Sequence, residues 1–165
     1  MKGAMAMKRM LALLLTLLIA ATPAAQAENT DELLIQVIEA CFSMTREEII
    51  EAFGPNFEEV AAGPEGVCDG YYYEEVGITF AFYPDTDELD SISCDESFRI
   101  YGVGVGSYLT EIIETLDDVE IIETWVETPY NKAFMVPFSY GNIHFNFIAF
   151  DKDTPVDLLW IYQLP

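Results

Sequence analysis

The residue types that enzymes use most often for acid–base and nucleophilic chemistry are scarce in this sequence. His144 is the single histidine, and strand-like alternation directs it away from the side of Ile143 and Phe145. A serine or cysteine nucleophile needs a base within hydrogen-bond reach, and no Gly-x-Ser-x-Gly motif is present to supply that arrangement. With 29 acidic residues in the chain, pairs of carboxylates give no guide to acid–base chemistry. The sequence therefore predicts a protein without enzymatic activity.

A short acidic stretch offers the one candidate metal site. Asp85, Asp87 and Asp90 lie in a polar segment between two strand-like segments. Calcium takes six to eight oxygen ligands, and closely spaced carboxylates can provide several of them. The EF-hand pattern is not met, because Leu89 and Asp90 occupy positions where that loop requires a polar ligand and then glycine. The pattern favours a solvated hairpin turn and leaves weak calcium binding as the alternative. No other cofactor is predicted.

Tyrosine and tryptophan are the candidates for partner binding. Both bury a large area with few rotatable bonds, and both are enriched at binding hot spots. Helices can cover only one face of a sheet, so strand alternation leaves part of the aromatic set on the other face. The predicted partner-binding residues are Tyr71, Tyr73, Tyr83, Trp160 and Tyr162. For any one of them, a place in the core remains the alternative.

The start of the chain has the pattern of a cleavable export signal. Three basic side chains precede an apolar run at 10–21, and Ala25 and Ala27 supply the small residues that signal peptidase requires. The run is shorter than the roughly 20 apolar residues of a membrane-spanning helix. The sequence therefore predicts a signal peptide at 1–27. The mature protein, from Glu28, is expected outside the cytoplasm, either secreted or in the cell envelope or periplasm.

Charge restricts the kinds of partner. The chain has 29 acidic and 7 basic residues, and loss of the signal removes three of the basic ones, so the mature formal charge is 4 − 29 = −25. Nucleic acids and anionic membranes are bound through clustered Lys and Arg, so neither is a predicted partner. No later segment is apolar for long enough to insert into a bilayer. A negative charge of this size attracts cations and basic proteins. The predicted partner is a protein, and a basic surface on that partner is one alternative.

The mature chain repeats itself. The matched segments recur in the same order, at offsets of 63, 65 and 67 residues that small loop insertions explain. They are 48–51 with 111–114, 78–82 with 143–147, and 89–92 with 156–159. We therefore expect two tandem modules, at 28–98 and 99–165.

Each half is predicted to form helices followed by strands. Apolar residues recur at helical spacing from Leu33 to Cys41. Thr45 and Glu48 form a capping box for a second helix, which ends at Gly54. Period-two alternation predicts strands at 70–75, 78–83, 89–94, 132–139, 143–150 and 156–163, with 119–126 as an additional one. The predicted fold class is α+β, with two tandem helix-helix-three-strand modules whose sheets are antiparallel meanders.

The segment 43–50, Ser-Met-Thr-Arg-Glu-Glu-Ile-Ile, followed by Gly54-Pro55, resembles the helix opening of the β-lactamase-inhibitor-protein fold; 105–116 resembles it more weakly. In single copy the module is similar to the SmpA/OmlA outer-membrane assembly lipoproteins. The resemblance covers nearly all of the mature chain and implies a module of short helices followed by three antiparallel strands, present twice. Together with the export signal, the negative charge and the aromatic residues, the sequence predicts an exported, non-enzymatic, acidic binding or inhibitor-type module that docks a protein partner on the sheet face that the helices leave open. The alternative is a calcium-responsive or structural protein, secreted or in the cell envelope, that uses its acidic hairpin loops.

The cysteines add a geometric expectation. A turn at 84–88 places Cys94 opposite about Ile78 on the neighbouring strand, whereas Cys68 lies at the other end of the sheet on a strand that is not adjacent. Since a disulfide needs Cα atoms within about 7 Å, Cys68 and Cys94 are predicted not to pair. Any bridge would involve Cys41, and three unpaired thiols are the alternative.

Overall fold

A computed structural model of the chain describes residues 27–62, 68–124 and 132–164. The predicted signal peptide, apart from its last residue, lies outside the described residues. Within these ranges, none of the helices combines the length and the apolar character that crossing a bilayer requires.

Three helices are described: α1 (Ala27–Cys41), α2 (Arg46–Phe53) and α3 (Leu109–Thr115). The predicted capping box of α2 is confirmed, because Thr45 Oγ1 accepts from the Glu48 N–H at 3.3 Å and the Glu48 carboxylate accepts from the Thr45 N–H at 3.1 Å. Gly54 ends α2 with a φ of +95°, a conformation that favours glycine. α3 opens similarly, with the Glu111 carboxylate accepting from the Tyr108 N–H at 2.8 Å.

The described strands form one antiparallel sheet of eight strands in the order β1-β2-β3-β4-β8-β7-β6-β5. The first four strands and the last four each form a meander, and the two meanders meet where β4 pairs with β8. The strands are β1 (Glu58–Ala62), β2 (Cys68–Tyr73), β3 (Ile78–Phe82), β4 (Leu89–Cys94), β5 (Ile122–Thr124), β6 (Ala133–Tyr140), β7 (Ile143–Ala149) and β8 (Leu158–Gln163).

All three helices pack on one face of this sheet, which we call the covered face. Their buried side chains join a single apolar cluster with the inward residues of both meanders. From the strands, the cluster includes Ile78, Phe80, Phe82, Phe145 and Phe147. The opposite face, here the open face, carries the alternate residues, and no described helix contributes to it. One crossing row of the open face is Tyr72, Thr79, Ser93, Trp160 and Asn146.

The predicted fold class is wrong in its module architecture. The eight strands join one continuous sheet rather than two three-stranded sheets, and the described part of the second half contains a single helix, α3. The first half gains β1, a strand that was not predicted, because its sequence Glu-Glu-Val-Ala-Ala has a single strong strand former, Val60. In the second half, β5 takes the place of the additional strand predicted at 119–126. The module boundary between 98 and 99 stays a prediction.

All three cysteines are buried free thiols. Cys94 is paired in register with Ile78, as the turn geometry predicts. Burial raises the pKa of the Cys41 thiol to about 12, so this thiol stays protonated at neutral pH and is a poor nucleophile.

The junction of the two meanders generates a prediction about cooperativity. Ile92 of β4 is paired with Ile161 of β8, and both are buried in the shared cluster. Ile92→Ala should lower the free energy of unfolding by about 2–5 kcal/mol, and both halves should lose stability together in one urea transition. Ser93→Ala, a half-buried open-face position, is the control and should stay within about 0.5 kcal/mol. Two separate transitions, with only one shifted, would show that the halves fold independently.

Candidate functional site: the open sheet face

An aromatic row crosses the open face on β7 and β8. The rings of Trp160 and Tyr162 are stacked with centroids 4.9 Å apart, and the ring of His144 also stacks with that of Tyr162, at 5.1 Å. All three side chains are half-buried. Because each ring is held by its neighbour, the row presents a rigid π surface that loses little entropy on binding.

His144 is also fixed from the side. Its Nδ1 lies 2.8 Å from Ser139 Oγ, on the paired position of β6. A serine beside a histidine is the combination that a nucleophile and its base would have, and no sequence motif indicated this pair. The contacts described for His144 are with Ser139 and Tyr162, and neither is a carboxylate that could orient the imidazole as in a catalytic triad. The contact orients the ring, and absence of enzymatic activity stays a prediction.

Across the sheet, Tyr72 of β2 belongs to the same face. Its hydroxyl donates to Asp95 Oδ2 at 2.9 Å, while Asp95 Oδ1 accepts from the Ser97 N–H at 2.8 Å and from the Ser97 hydroxyl at 2.7 Å. Burial alone would raise the pKa of Asp95, but these hydrogen bonds outweigh it and lower that pKa. The hydrogen bond to Asp95 raises the pKa of Tyr72, so tyrosine and carboxylate hold each other in place.

A second carboxylate lies at the opposite end of β4. Asp90 Oδ2 accepts from the Ser91 hydroxyl at 2.7 Å. Its hydrogen bond with Tyr83 raises the pKa of that phenol to about 12. Burial, followed by the charge of Asp90, raises the pKa of the Cys68 thiol. Ser91 and Cys68 are open-face positions, so the Asp90 carboxylate lies on that side of the sheet.

The structure divides the predicted partner-binding residues. Trp160 and Tyr162 lie together on the open face, and Tyr83 is exposed just after β3. Tyr71 and Tyr73 instead lie on the covered face, 9% and 4% exposed, so we leave them out of the site. The Tyr73 hydroxyl donates to the Gly54 carbonyl at 3.1 Å, and the Tyr71 ring stacks on Phe57 of the segment after α2.

Two residues of the open face were missed. Tyr72, between the two tyrosines that were selected, faces the other way because successive strand residues alternate. His144 was set aside as a lone histidine, and the same alternation places it beside Tyr162. Both could have been found from the strand pairing. Residues that are paired in register on neighbouring strands point to the same side of the sheet, so the partners of Thr79 and of Trp160 share one face.

The candidate metal ligands do not converge. Asp85 is exposed, Asp90 is bonded to Ser91, and Asp87 forms an ion pair with Arg46. In the described ranges, no group of three or more His, Cys, Asp or Glu side chains is placed to hold a metal ion. Calcium binding therefore stays a prediction that this arrangement does not favour.

Arg46 supplies the cation at this acidic turn. Its Nε lies 2.9 Å from Asp87 Oδ1, and its Nη1 donates to Asp69 Oδ2 at 3.1 Å. The guanidinium also lies over the rings of Tyr71 and Phe82, at 5.6 and 5.2 Å from their centroids. The first residue of α2 is thus joined to β2 and to the β3–β4 turn by charge and by cation–π contact.

Comparison with known proteins gives little beyond this geometry. No protein-family model matches the sequence, and no curated protein does either. A solved structure similar to this chain is that of a DUF4309 family protein (YjgB) from Bacillus subtilis subsp. subtilis str. 168. It has 17% sequence identity and a TM-score of 0.46, and the match covers 73% of this chain and 78% of that one. At this level the likeness carries no argument, and the proposals below rest on the contacts of this chain.

Substitution of Arg46 should lower the stability of the fold. The Arg46 side chain is 16% exposed, whereas Asp69 and Asp87 are 56% and 54% exposed. Arg46→Ala loses the hydrogen bonds and the packing on two rings, so the free energy of unfolding should fall by about 1–3 kcal/mol. The matched control is Lys132→Ala, which removes an exposed ion pair of 2.6 Å to Glu123 and should cost at most about 1 kcal/mol. Chemical denaturation of both variants decides this, and equal losses would contradict the role of Arg46.

The Asp95 contacts predict a pH dependence. Because the pKa of Asp95 is lowered in the folded state, its ionised form contributes stability above the ordinary carboxyl pKa of about 3.9 and loses it as pH falls through the lowered value. Asp95→Asn should therefore cost about 1 kcal/mol at neutral pH, with the difference from wild type shrinking below about pH 4. Thermal unfolding between neutral and acidic pH measures it. Asp85→Asn, an exposed site in the same half, controls for loss of one charge. A stability difference between wild type and Asp95→Asn that grows as the pH falls would contradict the stabilising role of ionised Asp95.

Proposed function

We propose that the mature chain is an exported, non-enzymatic binding module that docks a protein partner on the open face of its sheet. The observation that carries the proposal is the stacked row of Trp160, Tyr162 and His144 on a face that no described helix covers. The described helices pack against the apolar residues of the opposite face. The large aromatic rings on this side are therefore not needed to fill the described core. A preformed aromatic surface is the usual centre of a protein-binding site.

The charge of the chain favours a basic partner. Asp90 and Asp95 have their carboxylates on the open-face side, and Glu58, exposed at the sheet edge, shares a face with its register partner Tyr72. Against a formal charge of −25 for residues 28–165, a positive protein surface would be steered toward this face at a rate that falls with added salt. Carboxylates on the same face as the aromatic row also discriminate against acidic competitors.

Two further parts of the proposal concern the chain's history and place of action. The sheet order is symmetric about the β4–β8 pair, with four strands contributed by each half. This arrangement supports a tandem duplication with modules at 28–98 and 99–165. The basic, apolar and small-residue pattern of residues 1–27 supports export and cleavage before Glu28.

Loss of the aromatic row should abolish docking. The mature chain, residues 28–165, is used to capture partners from the secreted and envelope proteins of the cells that produce it, and an identified partner is titrated by calorimetry. Trp160→Ala and Tyr162→Ala should each weaken binding by about 2 kcal/mol or more, roughly 30-fold. Tyr140→Ala, an exposed tyrosine of the same sheet on β6, is the matched control and should change affinity less than about three-fold.

Circular dichroism of each variant verifies that the sheet is intact before binding is compared. Equal affinity of the Trp160→Ala and wild-type proteins for every captured partner would contradict docking on the open face. A calorimetric titration with calcium alone tests the alternative function: saturable binding that Asp85→Asn or Asp87→Asn abolishes would favour the acidic turn over the aromatic row as the functional site.

A further inference from the structure

The first strand, β1, is an edge of the sheet. It pairs with β2 along one side, and none of the other backbone hydrogen bonds of the described residues involves Glu58–Ala62. Alternate N–H and C=O groups of β1 therefore point away from the sheet. Because Glu58, Glu59 and Ala61 are exposed, a second chain can reach this edge. Unpaired edge groups of this kind are where an extended segment adds to a sheet as a further strand.

The two edges of the sheet differ. At the other edge, β5 has three residues, and its Glu123 forms an ion pair with Lys132. Short strands, lysines, prolines and bulges are the usual means of keeping an edge from pairing. β1 has five residues in unbroken register with β2 and contains neither lysine nor proline. Its charged residues are two glutamates, which disfavour an acidic strand and favour a basic one.

A groove of about 410 Å³ lies against β1 and β2. The side chains that line it on the covered-face side are Arg46, Glu59, Ala61, Asp69 and Tyr71. Asp69 is 56% exposed although Arg46 donates to one of its oxygens, so its carboxylate can accept from a second cation. Ala61 is the register partner of Asp69 and is small. A long side chain that enters from outside the sheet can therefore cross Ala61 and meet Asp69.

A strand added to β1 has its residues opposite those of β1. The residues opposite Glu59 and Ala61 point to the covered-face side and are two positions apart. The first lies beside the Glu59 carboxylate. The second is two inter-strand steps, or about 10 Å, from the backbone of Asp69, a gap that the long stem of lysine or arginine suits. The residue between them points to the other side, next to the half-buried Val60, where an apolar side chain fits.

We propose that β1 binds an extended segment of a basic protein as a further strand of the sheet, with basic residues opposite Glu59 and Ala61 and an apolar residue between them. Charge argues against a second copy of the chain as the occupant, because two chains with a formal charge of −25 for residues 28–165 repel each other. This surface is the edge of the sheet and not its open face. The proposal therefore goes beyond the proposed function and does not rest on it.

The test uses fluorescently labelled peptides of about seven residues, long enough to cover the five of β1. The first peptide is rich in valine and threonine and has two lysines at alternate positions. The second has the same composition with the lysines adjacent, so that they point to opposite sides of a strand. The third has glutamates in place of the lysines. Two further versions of the first peptide are N-methylated at every second residue, in the two possible phases.

We expect the first peptide to bind the mature chain at least about ten-fold more tightly than the second and third, which is about 1.4 kcal/mol. The N–H groups of a strand point alternately to its two sides. One phase of N-methylation should therefore weaken binding at least about ten-fold, and the other should leave it within about three-fold. Amide hydrogen exchange of Glu58–Ala62 should slow when the first peptide binds, and that of Ile122–Thr124 should not.

Substitutions in the chain locate the contact. Glu59→Lys should weaken binding of the first peptide at least about ten-fold, and Asp69→Asn should weaken it as well. The matched control is Glu114→Lys, which makes the same change of charge at an exposed position of α3 and should leave the affinity within about three-fold. Chemical denaturation of each variant verifies that the chain is folded before affinities are compared.

Four results would overturn the proposal. They are no binding of the first peptide up to about 1 mM, equal binding of the glutamate peptide, equal effects of the two N-methylation phases, and a loss of affinity in Trp160→Ala as large as that in Glu59→Lys. The last result would place the peptide on the open face. Sedimentation of the chain alone tests the other occupant, since a dimer in which the amides of Glu58–Ala62 are protected would make a second copy, and not a basic protein, the partner of this edge.

Discussion

The pairing of β4 with β8 is the constraint on which the rest of the structure depends. It joins two antiparallel meanders edge to edge, so that one sheet of eight strands, rather than two small sheets, is described. The pairing also determines which residues of the two meanders point to the same side of the sheet, because residues opposite each other in register share a face. Ile92 and Ile161 meet in the apolar cluster, and Ser93 and Trp160 meet on the other side. Every later assignment of a side chain to the core or to the open face follows from this register.

Burying one face determines what the other can do. The three helices and both meanders contribute to a single apolar cluster, which provides the apolar burial that a chain of this length needs to fold. The open face is then free of that requirement and carries a mixture that a core would not hold: stacked rings, hydroxyls and oriented carboxylates. The strong negative charge acts at the same surface, where Asp90 and Asp95 lie at the two ends of β4. Arg46, half-buried at the acidic turn, is a cation that the chain itself places between the carboxylates of Asp69 and Asp87.

Local patterns predicted the local structure, and long-range pairing was beyond them. Period-two alternation located the strands that became β3, β4, β7 and β8, and the Thr45–Glu48 capping box located the start of α2. The edge strand β1 was missed because Glu58–Ala62 lacks apolar–polar alternation and has one strong strand former, Val60. The union of the sheets could not be derived, since nothing in Leu89–Cys94 or Leu158–Gln163 alone specifies that these strands pair. For the site, composition identified Trp160 and Tyr162, but Tyr71 and Tyr73 were chosen where parity required Tyr72. Asp87 forms its ion pair with Arg46, which lies 41 positions earlier in the chain. Sequence spacing cannot reveal a contact between residues so far apart.

The most direct test of the central claim is hydroxyl-radical footprinting of the mature chain, with the oxidation rate of each aromatic side chain read by mass spectrometry. The account predicts rapid modification of Tyr72, Trp160 and Tyr162, and protection of Tyr71 and Tyr73, which are covered by the segment from α2 to Phe57. Tyr72 and Tyr73 are adjacent in sequence, so the comparison is internal and does not depend on local unfolding of the strand. Protection of Tyr72 and Trp160 together with modification of Tyr73 would show that the faces are reversed, and the open face would no longer be a candidate for docking.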